Sequence, residues 1–189
     1  FLAFVAELRP HLRRDSALPR RIKDTFARHR AIGSRDRKLY RELVYTYLRF
    51  LPWIDPLLDS EPATAARITA WLAPDLKPTA HYRAALCGDW PPVPATLAEK
   101  SAALASIVGG ARPPEALLPD WFHEHCPAAF ESPHLDALNR RAQVWVRIQA
   151  ADRALVLDEF RALGWTFGQP ADCPDAVSLP PNAEVAGTD

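Results

Sequence analysis

Nineteen prolines stand against seven glycines in this chain of 189 residues, and that ratio constrains the fold more than any single motif. Proline suits a first helical turn or a linker, and a helix interior excludes it. The sequence therefore predicts many short helices punctuated at X-Pro boundaries, not a many-stranded sheet. An apolar fraction of 48% is ordinary for a globular protein and too high for a disordered one. No apolar run approaches the ~20 residues that a membrane span needs, and no secretory signal is visible. The chain has no methionine, which implies that Phe1 is not a native start and that the chain is trimmed or partial.

Apolar spacing places the helices. Residues 1–9 read as the end of a helix, with Leu2, Val5 and Leu8 on one stripe. Leu18-Pro19 opens a second, with Pro19 at a first helical position and Ile22 and Phe26 on one face. Gly33 is expected to close it in the left-handed cap role, Ser34 to cap the next, and Asp36 to complement that helix's dipole. From Arg35 to about Leu51, the residues Leu39, Tyr40, Leu43, Val44, Tyr47, Leu48 and Leu51 form a continuous helical stripe. Lys38, Arg41 and Arg49 fall off it and are expected to face outward. Further helices are predicted over 63–73, 78–87, 95–108 and 119–126. Trp53, Trp71, Trp90 and Trp121 are read mainly as core fillers and inter-helix wedges, since buried aromatics contribute large apolar area, with a stacking platform for bases as the alternative.

The composition changes near Ser132-Pro133. A short helix over 134–140 precedes Val144-Trp145-Val146-Arg147-Ile148, a β-branched and aromatic run that alternates as a strand does. An amphipathic helix follows over 153–163, with Leu155, Val156, Phe160 and Leu163 on one side and Gly164 as its cap. Trp165-Thr166-Phe167 reads as a second strand and Ala176-Val177-Ser178-Leu179 as a third. The predicted fold is mainly α: an all-α helical bundle over 1–132, then the beginning of a small α/β module of βαβ type over 133–189.

Charge is segregated. The first fifty residues hold thirteen Lys/Arg against five Asp/Glu, and the remainder has a matching acidic excess, so the formal net charge is zero. A one-sided basic region is the electrostatic footprint of a phosphate-rich partner. Arg20, Arg21, Lys23, Arg28, Arg30, Arg35, Arg37, Lys38 and Arg41 cluster around one helix junction. Most are arginine, whose planar fork pairs with phosphate bidentately. They are the candidate RNA-binding residues, in a phosphate-positioning role; Arg35 or Arg37 could instead pair with Asp36 or Glu42.

Other candidates reduce to simpler readings. Cys87, Cys126 and Cys173 are odd in number, widely spaced and without a Cys-x-x-Cys pair, which points to reduced thiols and a cytoplasmic setting. His123 and Cys126 share a helix face, but His125 points elsewhere and no fourth metal ligand has a known spacing. Cys173 lies in a Pro-rich loop that offers a nucleophile no substrate pocket. Asp158-Glu159 is a pair in sequence only, because adjacent residues do not face each other on a helix. No Gly-rich loop follows a strand, so no cofactor-binding or catalytic residue is assigned within this chain.

Ile32-Gly33-Ser34-Arg35-Asp36-Arg37, followed by Leu43-Val44-Tyr45 and Leu48-Arg49, resembles the N-terminal NusB-like domain of the RsmB/Sun family of rRNA cytosine-5 methyltransferases. Leu138-Asn139-Arg140 leading into Val144-Trp145-Val146-Arg147-Ile148 resembles the start of that family's small pre-catalytic domain. Pro119-Asp120-Trp121 is similar to its Pro-x-Trp, and Leu179-Pro180-Pro181 to the stretch before its catalytic domain. The resemblance implies a NusB-like RNA-binding bundle over 1–132 and an incomplete pre-catalytic module over 133–189. It further implies that this chain is the targeting region of an S-adenosylmethionine-dependent enzyme, with cofactor and chemistry in a catalytic domain not included here. The expected partner is RNA, specifically rRNA, with no membrane and with room for a protein partner on the helical domain. An alternative is a stand-alone module of the NusB antitermination type. A third reading is an α-helical DNA-binding domain, since the short turn at Ala31-Ile32-Gly33-Ser34 superficially suits a helix-turn-helix.

Overall fold

The computed structural model describes residues 1–12, 16–29 and 32–180. These residues are mainly helical with one two-stranded sheet. The chain divides into two compact units, Phe1–Asn139 and Arg140–Asp189.

The first unit is built from α1 (Leu2–Leu8), α2 (Leu18–Arg28), α3 (Ser34–Arg49), α4 (Leu51–Ile54), α5 (Pro62–Leu72), α6 (Lys77–Cys87), α7 (Leu97–Val108), α8 (Phe122–His125) and α9 (Ser132–Leu138). Proline opens α2, α4, α5, α6 and α9, where its missing N–H belongs to a group that has no helical partner in any case. The central element is α3, which packs against α1, α4, α5 and α6. Its inward stripe buries Leu43, Val44 and Tyr47 completely. Phe4, Val5 and Leu8 from α1, Ile22 from α2, Ile68 and Trp71 from α5, Leu104 from α7 and Leu135 from α9 complete one core. The buried indoles are satisfied: Trp53 Nε1 donates to the Pro113 carbonyl at 3.0 Å and Trp71 Nε1 to the Pro91 carbonyl at 2.7 Å. The Tyr47 hydroxyl donates to Asp55 Oδ1 at 2.5 Å, and the Arg9 guanidinium holds the same carboxylate at 2.9 Å.

Four expectations for this unit change. Gly33 has φ −63 and ψ 162 and is the N-cap of α3, not a left-handed C-cap of α2. Ser34 is accordingly the first helical residue and makes no side-chain cap bond. Trp121 is 60% exposed and fills no core. Finally, α9 belongs to the helical unit, although the sequence boundary at 132 assigns it to the next. Leu135 is buried in the first core, and the buried Asp136 carboxylate accepts the Leu97 N–H at 2.7 Å. The division thus falls after Asn139, because Pro133 starts a helix here rather than a linker.

The second unit contains β1 (Val144–Arg147), α10 (Arg153–Ala162) and β2 (Ala176–Leu179). The strands pair antiparallel, with Val144 opposite Leu179 and Arg147 opposite Ala176. A βαβ unit needs parallel strands, so the predicted βαβ start is not what forms. Residues 165–167 are not a strand. Trp165 and Phe167 turn onto Phe160, with ring centroids at 5.2 and 6.0 Å, and only Gly168 bridges to Ser178. Ile148, Leu157, Phe160, Val177 and Leu179 form the small core. The buried face of α10 is rotated from the predicted one: Leu157 is inside, while Leu155 and Leu163 are exposed. Gly164 ends α10 at φ +70, as a left-handed cap should.

Candidate nucleic-acid interface

On α2, burial of Ile22 and Thr25 and partial burial of Leu18 and Phe26 set the inner face. The remaining surface carries Arg20, Arg21, Lys23 and Arg28, all exposed. On α3, the inward stripe leaves Arg35, Lys38 and Arg41 exposed and Arg37 and Arg49 half-buried. Arg30 lies outside the described residues.

These cations occupy different settings. Arg28 is engaged within the unit: its guanidinium donates to Glu7 Oε1, and to Thr25 Oγ1 at 3.0 Å. Glu7 also approaches His29 Nε2 at 3.5 Å. The Arg28 hydrogen bond, with His29 adding to it, holds the Glu7 carboxyl below its ordinary range. Arg21, Arg28, Glu7, His11 and Asp24 border one small hollow of about 100 Å³. Arg20 faces Asp24 at 3.8 Å across one turn of α2, a separation that contributes little between exposed groups. Arg37 turns back so that its Nε donates to the Ile32 carbonyl at 2.9 Å; it pairs with the chain's own turn, not with Asp36 or Glu42 as the sequence suggested. Arg35 borders a groove of about 330 Å³ between α3 and α6, shared with Asp36, Leu39, Pro78, His81 and Tyr82. Lys38 and Arg41 lie three residues apart and so share the outer side of α3.

Sequence reasoning passed over one residue of this outer side. Tyr45 follows Arg41 by four positions and Lys38 by seven, and it is 41% exposed. Its signal was present: it interrupts the charged face while standing off the apolar stripe.

The other chemistry-bearing residues do not converge. His123 stacks on the Phe130 ring at 3.6 Å, and among the described residues no three His, Cys, Asp or Glu side chains are placed to hold a metal. Cys126 and Cys173 are exposed, while Cys87 is buried, which pushes its thiol pKa up. The connection from β1 to α10 contains no glycine, and Gly109-Gly110 follows a helix. An open groove of about 700 Å³ is lined by Leu12, Leu48, Leu51, Pro52 and 116–121, with Trp121 at its edge. No described helix is long and apolar enough to cross a membrane.

No family model, curated protein or solved structure matches the chain.

Proposed function

We propose that the helical unit binds RNA by its phosphate backbone through the outer faces of α2 and α3. We further propose that it serves as the targeting region of an S-adenosylmethionine-dependent rRNA cytosine-5 methyltransferase acting in the cytoplasm. The first part is carried by one observation: Arg20, Arg21, Lys23, Arg35, Lys38 and Arg41 are all exposed on two helices whose opposite faces build the core. The second part rests on the sequence resemblance of residues 32–49 and 138–148. Arg28 and Arg37 act chiefly as internal anchors, because their guanidinium groups already hold Glu7 and the Ile32 carbonyl. The exposed cations displace condensed counterions from the phosphates, which makes affinity salt-dependent and insensitive to sequence.

The test is a combined change of Arg20, Lys23, Arg35 and Arg41 to Gln. Four lost phosphate contacts reduce the slope of log K against log salt by about three and weaken binding to structured RNA by about a hundredfold or more at low salt. The melting temperature should stay nearly unchanged, since exposed positions rarely stabilise a core. Unchanged RNA affinity together with a lowered melting temperature would make these cations structural and end the proposal.

A further inference from the structure

The chain has four tyrosines, and three have internal work. Tyr40 tilts against Phe4 with centroids 5.7 Å apart. Tyr47 is fully buried and bonded to Asp55. Tyr82 packs edge-on against Phe1 at 6.3 Å. Tyr45 differs from all of them. It is exposed, and among the described residues its ring meets no other ring or cation and its hydroxyl makes no hydrogen bond. It also stands within a charged face, with Arg41 and the half-buried Glu42 on the preceding turn, Lys38 a turn earlier on the same side of α3, and Arg49 one turn beyond.

An aromatic ring left open on a face with three cations and one half-buried acid suits one ligand chemistry well. A base stacks on the ring while the cations hold the adjoining phosphates. Paired bases keep their faces stacked inside the helix, so only an unpaired base can be splayed onto a side chain. Arg41 lies about 6 Å from Tyr45 along the helix axis, which keeps a stacked base and its own phosphate within reach of the two side chains together. We propose that Tyr45 is a stacking platform for one unpaired base of single-stranded RNA, with Lys38 and Arg41 on the flanking phosphates. This rests on the RNA-binding reading above and deepens it: the preferred partner is a single-stranded segment or loop, not a continuous duplex.

The experiment measures binding of the full chain to an unstructured RNA oligonucleotide and to an RNA duplex of equal length across a salt series. Tyr45→Ala should weaken single-strand binding about five- to a hundredfold. It should leave the salt slope, the duplex affinity and the melting temperature as they are in the native chain. Tyr45→Phe should bind as the native chain does, because the ring and not the hydroxyl makes the contact. If Tyr45→Ala keeps full single-strand affinity while the four-fold Gln variant loses it, the platform is wrong and the phosphate reading stands. Equal loss of single-strand and duplex binding by Tyr45→Ala would also overturn the platform. A native chain that binds neither RNA removes both proposals at once.

Discussion

Glu7 sits beside the cations it partly neutralises, and its bond to Arg28 couples stability to binding. Its carboxyl is held below the ordinary value of about 4.3. A depressed folded-state pKa contributes stability above the unfolded value, and that contribution is lost as pH falls through the folded value. Glu7→Gln should therefore cost less than about 1 kcal/mol at neutral pH, since the pair is exposed, and should soften the decline in stability on the acid side of about pH 4, read as melting temperature against pH. The same change removes an acid from the basic surface and releases Arg28. RNA affinity should rise, with a salt slope steeper by about 0.7 to 0.9 if Arg28 gains a phosphate. Tighter binding on loss of an acid separates an electrostatic role for this corner from a purely structural one. Burial at single residues was the least legible quantity in the sequence. Trp53, Trp71 and Trp121 are chemically alike, yet two are buried and one projects, because the difference lies in which neighbouring element covers the ring.

Elements were legible where the period was strong. The stripe from Leu39 to Leu51 located α3 and its outward cations, because a continuous apolar stripe can bury itself in only one orientation. Shorter signals were ambiguous in phase: α10 buries Leu157 and not Leu155, and ten residues carry too few turns to fix the angle. Direction was not legible at all. Alternation marks Val144–Arg147 and Ala176–Leu179 as strands, but nothing in alternation distinguishes parallel from antiparallel pairing. Gly33 shows the same limit at a helix end, where a glycine between two helices suits either a C-cap or an N-cap until φ is known. The link between α7 and α9 was equally hidden, because it joins groups thirty-nine positions apart. There the Asp136 carboxylate receives the Leu97 N–H at the start of α7, beside a capping box in which Thr96 and Glu99 exchange bonds. Asp136→Ala leaves that buried donor unpaired and should destabilise the helical unit by about 1 to 3 kcal/mol in denaturant unfolding. Asp136→Asn, which keeps an acceptor, should recover much of the loss.

For the whole molecule, the placement of α9 decides where the chain can be divided. A fragment of residues 1–139 retains Leu135 in the core and Asp136 on α7, and it should unfold cooperatively as a helical domain. A fragment ending at 132 loses both and should melt lower or without a clear transition. Limited proteolysis should cut between Asn139 and Val144 before it cuts at Glu131–His134, since the latter segment is bonded into α9. Cleavage first at Pro133 would instead mean that α9 docks only weakly. Within this helical unit the basic surface of α2 and α3 shares a body with residues 51–139, which hold eleven Asp/Glu against five Lys/Arg. At neutral pH the whole chain has no net charge to hold its copies apart. In dilute buffer the basic helices of one molecule attract the acid-rich remainder of the next, and dissolved ions relieve that attraction. Salt thus acts on this molecule in two opposed senses: it keeps the copies apart in solution, and it loosens their hold on a polyanion.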